Sequence, residues 1–339
     1  HRGPFYYREL LTQDPNEKLT RDYRSVYYND PFKKGKAKWI AMMQVGPMNE
    51  AGYFNLGPQN SETSAKIEGA DYVIVEVVKN MPIWDYVDLE RMIEFLCAHA
   101  RQDDGDKARS IEVLTHLNDR YFDTGIKKRS SVLALVRQAL TGIFAATPRL
   151  DHHSTSRYRL IDRTTRASLR PPRPGEGILV LNARDFPPEG DDCDARLICD
   201  AFELGWKQFI CYGYRGQRFL GCGLGKASDG VRMDVYDSSG DYLASGIDGM
   251  ELHVHGNAQD QLGQIMKRGK LVVYGDVGQT FMYGAKGGEV YVMGNAAGRP
   301  LINAVGYPRV VINGTCLDYL AESFMAGDPL NGGGFVILN

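Results

Sequence analysis

The last third of the chain repeats itself every 19 or 20 residues, each period ending a short apolar run on a fixed position. Gly256, Gly275, Gly294 and Gly314 close the runs MELHVHG, KLVVYG, EVYVMG and RVVING, and Asp237 closes VRMDVYD one period earlier. A period of this length, with one strand and its turns per unit, marks a stacked repeat whose units bury their apolar faces only against one another. The expectation is a solenoid, which offers long surfaces rather than a deep catalytic pocket.

Aligning the runs on their closing residue gives apolar columns at Val235, Val254, Val273, Val292, Ile312 and at Met233, Leu252, Leu271, Val290, Val310. Residues two apart share a face of a strand, so these columns point inward. The alternate columns point outward and are mixed: Tyr236, His255, Tyr274, Met293, Asn313, and Asp234, His253, Val272, Tyr291, Val311. A further column reads Arg232, Glu251, Lys270, Glu289, Arg309, with the sign of charge alternating at every step. In parallel register each charge lies between two of opposite sign, a stacking ladder in which each exposed pair contributes about 0.2–1 kcal/mol. Leu243, Leu262, Phe281, Leu301 and Leu320 form another apolar column after each turn, and Gly240, Gly246, Gly249, Gly269, Gly287, Gly288 and Gly306 read as corners.

These residues carry a resemblance. SGDYLASGIDGMELHVHG, GQTFMYGAKGGEVYVMGNAAGRPLINAVG and AGDPLNGGGFVILN resemble the carboxy-terminal glycine-repeat (GXGXG) domain of the glutamate synthase large subunit, over residues 174–339. The resemblance implies a right-handed parallel β-helix and a scaffold role. It also implies that the glutaminase nucleophile, the FMN site and the iron–sulfur cysteines lie elsewhere, so no catalytic residue carries over onto this half. Upstream, Ile178–Leu181 reads as a strand, DARLICDAFELGW as a helix stopped by Gly205, and KQFICYG and QRFLGCG as strands leading into the repeat.

Composition excludes several classes. A formal charge of −2 gives no global footprint for nucleic acid, and no apolar run reaches the length of a membrane span. No secretory leader opens the chain, and the absence of an initiating Met points to a trimmed or partial sequence in a cytoplasmic setting. Cys97, Cys193, Cys199, Cys211, Cys222 and Cys316 include no C-x-x-C pair and read as free thiols. Gly221, Gly223 and Gly225 look like a phosphate loop, but a strand rather than a helix follows, which favours a corner. His253 and His255 sit two apart on one strand face, a spacing a metal accepts. Their ligand set is incomplete, so they read as surface histidines.

The first half is a different object. IAMMQVGPMNEAGYFNLGPQN and ADYVIVEVVKNMP, within residues 38–82, resemble part of the amino-terminal domain of the acetyl-CoA hydrolase and acyl-CoA transferase family. Ile40–Val45 and Tyr72–Val77 are apolar runs suited to buried parallel strands, with SETSAKIEGA as a helical crossover. That family's catalytic carboxylate belongs to a later segment, and Glu50, Glu62 and Glu76 sit on no nucleophile motif. YVDLERMIEFLCAHA, SIEVLTHLNDRYF and SSVLALVRQALTGIF have helical periodicity, with QDDGDK as a loop. Arg157, Arg159, Arg163, Arg166, Arg170 and Arg173 then mark a basic, proline-closed linker with a single interleaved aromatic, Tyr158.

The sequence therefore divides into an α/β segment (1–83), a helical segment (84–148), a basic linker (149–173) and a repeat domain (174–339). The leading functional expectation is a non-catalytic scaffold within a glutamate synthase-like redox or amidotransfer complex. That chain carries no cofactor or metal of its own, and its catalytic partners bear FMN and iron–sulfur clusters. An acyl-CoA transferase or hydrolase and a free-standing ligand-binding solenoid stand as alternatives.

Overall fold

In the computed structural model, the described residues are 40–45, 48, 72–77, 89–122, 124, 128–325 and 333–339. The chain forms two compact units, His1–Arg91 and Met92–Asn339. In the first, β1 (Ile40–Val45) and β2 (Tyr72–Val77) pair in parallel, Ile40 opposite Tyr72 through Val45 opposite Val77. The crossover expected at SETSAKIEGA lies outside the described residues, as do Glu50 and Glu62.

Three helices follow: α1 (Leu89–His99), α2 (Asp104–Asp119) and α3 (Arg129–Ala145). Asp103, in extended conformation, accepts a hydrogen bond from the Asp106 amide at 2.8 Å and so caps α2. The expected QDDGDK loop is accordingly shorter, because its last residues form the first turn of α2.

The second unit is built on nine strands in one sheet: β3 (Tyr158–Ile161), β4 (Ile178–Asn182), β5 (Gln208–Tyr212), β6 (Arg232–Val235), β7 (Asp248–Val254), β8 (Arg268–Val273), β9 (Glu289–Val292), β10 (Arg309–Ile312) and β11 (Phe335–Leu338). They lie in strict chain order and every neighbouring pair is parallel. Helix α4 (Asp194–Glu203) connects β4 to β5, and Gly205, at φ 103°, follows it as the expected stop.

The expected right-handed β-helix is corrected here to an open, all-parallel α/β sheet. In each period only the apolar run forms a strand of more than a single bridge residue. The residues after it alternate into the left-handed region, at Tyr242, Ala244 and Gly246, then Gln261, Gly263 and Ile265, then Thr280, Met282 and Gly284, and so on to Ser323. Such backbone forms turns, not further sheet legs. The turns stack through backbone hydrogen bonds, among them Ala244 N–H to Leu220 O at 2.8 Å and Met282 N–H to Leu262 O at 2.8 Å. Single-residue parallel bridges run through Ser239, Ala258, Val277, Ala296 and Cys316. The stretch QRFLGCG, expected as a strand, is the first of these turns, with Phe219, Gly221 and Gly223 at positive φ.

The core lies between the sheet's inner face and the stacked turns. Met233, Val235, Leu252, Val254, Leu271, Val273, Val290 and Val310 from the strands meet Leu243, Leu262, Phe281 and Leu301 from the turns, all essentially inaccessible to water. Leu197, Ile198 and Ala201 of α4 and Trp206 extend the same cluster toward β4.

The segment read as a basic linker contributes structure of its own. Two of its arginines turn inward: Arg159 on β3 is fully buried, its Nε 3.3 Å from Glu176, while Arg170 grips the same carboxylate through both Nη atoms at 2.6 and 2.8 Å. Hydrogen bonds from Arg170 hold the Glu176 carboxyl down to about 2 despite its burial, with the Arg173 amide assisting. Four apolar-patterned residues in a run of arginines gave no visible strand signal, because one arginine serves as a core residue through this pairing.

Candidate functional site

The outer face of the sheet carries the chemistry. Phe144 of α3 packs on Tyr212 and Tyr236, ring centroids 5.4 and 4.8 Å away. Helix α2 lies crosswise over the strands, and its contacts trace its path. Near its start Asp104 accepts hydrogen bonds from Ser156 Oγ and the Arg157 amide, both at 2.6 Å, and Lys107 sits over the Tyr158 ring. Further along, Thr115 Oγ1 lies 2.7 Å from the Tyr236 hydroxyl. At the end of the helix Asn118 Nδ2 donates to the His255 carbonyl at 2.8 Å.

His255 is the centre of this arrangement. Its Nδ1 lies 2.8 Å from Asp119 on α2 and its Nε2 3.2 Å from Asp234 on β6, with all three side chains mostly buried. Its ring is sandwiched between Tyr236 and Tyr274, centroids 4.4 and 5.2 Å away. Burial opposes the imidazolium, but the hydrogen bonds to Asp119 and Asp234 outweigh it and raise the His255 pKa above its ordinary value. Burial likewise opposes the Asp234 carboxylate, yet His255 and a two-pronged hydrogen bond from Arg232, at 3.0 and 3.0 Å, take its pKa down to about 2. His253 behaves oppositely: burial dominates and lowers its pKa, although its Nε2 approaches Glu251 at 2.6 Å.

Both histidines are therefore buried, at 7 % and 5 % exposure, which corrects the expectation of surface histidines. Sequence reasoning saw Asp234 beside them. It did not see Asp119, which lies 136 residues from His255 in the chain and meets it only through packing of α2. Between α2 and β3–β8 runs a groove of about 400 Å³, lined among others by Glu112, His116, Arg232, Asp234, His255 and Tyr274. Both nitrogens of His255 are engaged by carboxylates, which makes it a clamp between helix and sheet rather than an accessible base. Among the described residues no three His, Cys, Asp or Glu side chains converge as a metal site.

The charge-ladder positions are register partners. Arg232 lies opposite Glu251, Glu251 opposite Lys270, Lys270 opposite Glu289 and Glu289 opposite Arg309. Charged atoms approach at 3.9 Å for Arg232–Glu251, 3.5 Å for Lys270–Glu251 and 3.2 Å for Arg309–Glu289. The glycines closing each run stand where one turn passes over the next. A Cβ on Gly275 would sit 2.7 Å from the Gly256 carbonyl oxygen, and Gly294 and Gly314 are as tightly placed. Gly256 is less confined, its nearest neighbour, Asp237 O, being 3.3 Å away. The residue after each of these glycines forms a ladder that periodicity alone did not reveal. Asn257 Oδ1 accepts from the Asp276 amide at 3.0 Å, Asp276 Oδ1 from the Asn295 amide at 2.7 Å and Asn295 Oδ1 from the Thr315 amide at 2.9 Å.

Residues 215–339 match the family described as the GXGXG motif, that of the glutamate synthase carboxy-terminal domain. A 43-residue stretch is 60 % identical to the butyryl-CoA:acetate CoA-transferase of Anaerostipes caccae, covering 13 % of this chain and 10 % of that enzyme. The chain thus spans about a tenth of the length of that curated relative. No solved structure matches the chain. Among the described residues no helix is long and apolar enough to cross a membrane.

Proposed function

We propose that the chain is a scaffold component of a glutamate synthase-like assembly, without catalytic residues of its own, holding catalytic partners at a fixed separation so that an intermediate or electrons pass between them. The observation that carries this reading is the GXGXG match over 215–339 falling on a layer hydrogen-bonded without interruption from turn to turn. Nine strands in unbroken order give a stiff element eight spacings of about 4.8 Å long, the property a spacer needs. In this reading FMN and iron–sulfur clusters belong to partner subunits. Its own thiols support that division: burial pushes Cys222 up to about 12 and raises Cys199 and Cys211 as well, which disfavours the thiolates that clusters require. Six free cysteines fit a reducing, cytoplasmic setting.

Native isolation from the source cells tests the proposal, with partners identified by mass spectrometry and bound flavin and iron quantified. Flavin- and iron-bearing partners in fixed ratio are the expected result. Turnover of a substrate by the purified chain alone overturns it. The 60 % identity to a CoA-transferase supports a second reading, an acyl-CoA-processing enzyme. Incubation with acetyl-CoA separates the two, because only the second predicts a covalent thioester adduct by mass.

A further inference from the structure

The groove beside α2 has an ordered floor and one polar end. Its floor is a row of side chains in direct register, one per strand from β3 to β6: Tyr158, Ile178, Gln208 and Arg232. Ile210 stands one row further in on the same face of β5 and is 7 % exposed. The wall is the near face of α2, where Ala108, Ile111 and Thr115 recur at helical spacing. Three strand spacings of about 4.8 Å separate Tyr158 from Arg232, which makes the trough about 14 Å long. Its volume of about 400 Å³ is that of a small-molecule site.

The charges around the groove sort its possible occupants. Asp119 and Asp234 share His255, and Asp234 also takes Nε and one Nη of Arg232. Glu251 is met by His253 at 2.6 Å and by Lys270 at 3.5 Å, and exposed Glu112 lies 3.9 Å from His116. Each of these carboxylates therefore has a basic neighbour. Arg232 differs, because its side chain is half exposed and its other Nη lies 3.9 Å from Glu251, beyond hydrogen-bond reach. The outer edge of its guanidinium keeps unused donors. Beside it in register, the exposed Gln208 amide has no hydrogen-bond partner among the described residues. A planar edge of two N–H groups matches a carboxylate in shape and charge. From there toward β3 the trough is apolar, along Ile210, Ile178 and Ile111 to the Tyr158 ring.

We propose that this groove binds a straight-chain aliphatic carboxylate of about eight to ten carbons, the length that a zigzag chain needs to run from Arg232 to Tyr158. The carboxylate takes the outer edge of Arg232 and the Gln208 amide, and the chain lies over Ile210 and Ile178 against Ile111. The site binds without reacting, so it goes beyond the scaffold reading and does not depend on it.

Isothermal titration of the full chain with decanoate, below its micelle concentration, tests the proposal. Saturable binding is the expected result, with decanol at least about tenfold weaker because it lacks the charge that the guanidinium edge meets. Two variants locate the ligand. Gln208→Glu places a negative charge beside Arg232, and Ala108→Phe fills the trough from the α2 wall. Each should weaken decanoate at least about tenfold, and circular dichroism with an unchanged Tm establishes that each folds. Gln208 is exposed and makes no hydrogen bond, so its variant keeps the test decisive if Phe at position 108 disturbs the helix. Absence of saturable binding overturns the inference, and so does decanoate binding that neither variant weakens. Decylamine or decanol binding as tightly as decanoate overturns it too, since Arg232 then does not select the ligand.

Discussion

At the scale of single residues, His255 decides how the outer face is held. An imidazolium between two buried carboxylates stabilises, whereas a neutral imidazole leaves Asp119 and Asp234 facing each other with one proton fewer. The folded pKa of His255 is raised above 6.5, so its contribution is fully present below pH 6.5 and is lost as pH rises through the folded value. Asp234 acts in the opposite direction. Its pKa is lowered from 3.8 to about 2, so its contribution holds above 3.8 and is lost as pH falls toward 2. We expect Tm to decline as pH rises above 6.5, and His255→Gln to flatten that decline while lowering Tm at pH 6.5. The loss, from removing one partner of a buried pair, is about 3–5 kcal/mol by chemical denaturation. A His255→Gln profile as steep as the wild type would show that another group titrates. Thr280 carries a second residue-scale prediction. It sits at φ 55°, where a β-branched side chain is strained. Thr280→Gly should raise stability by about 1 kcal/mol, less what glycine loses in backbone entropy, and a lower denaturation midpoint would contradict the strain argument.

At the scale of elements, the strands were legible and the turns were not. A period-2 alternation repeated at a fixed interval places Val235, Val254, Val273 and Val292 inward, and the same arithmetic pairs Arg232 with Glu251 and Lys270 with Glu289, as the sheet register has them. Nothing local reports that Gln261, Thr280 or Met282 takes left-handed backbone. That conformation is imposed by hydrogen bonds to the turns above and below, and those partners lie about a period away in sequence. The β-helix expectation came with the family resemblance, and the column Leu243, Leu262, Phe281, Leu301 agreed with it only because turns, like strands, bury an apolar residue against the sheet. The groove under α2 was equally hidden, because a helix reads as amphipathic whichever sheet face receives it. Stacked turns set a tight tolerance on the closing glycines. Gly275→Ala should cost about 1–3 kcal/mol, as overpacking does, because its Cβ meets the Gly256 carbonyl oxygen at 2.7 Å in the turn beneath. Urea denaturation measures it, and a neutral result would mean the turns yield where hydrogen bonding says they are fixed.

At the scale of the whole molecule, strict strand order has a mechanical consequence. Each strand from β4 to β10 pairs only with its neighbours in sequence, so cohesion is passed from unit to unit rather than shared across the sheet. The two ends of the layer are not equivalent. Toward β3 the outer face is covered by α2 and α3, and Arg159, Arg170 and Glu176 tie down the buried polar groups. Toward β11 the outer face lies open, with Phe335 and Ile337 both about half exposed. Local unfolding should therefore begin at the β11 end and lose free energy stepwise along the sheet. Ile312→Ala removes a fully buried side chain on β10 and should cost about 2–5 kcal/mol locally. Native-state hydrogen exchange reads the outcome. Protection should fall in β9–β11 and remain near wild-type values in β4–β6, whereas a uniform loss across all nine strands would make the sheet one cooperative block. A scaffold that loosens from one end alone keeps its α2-clamped end rigid.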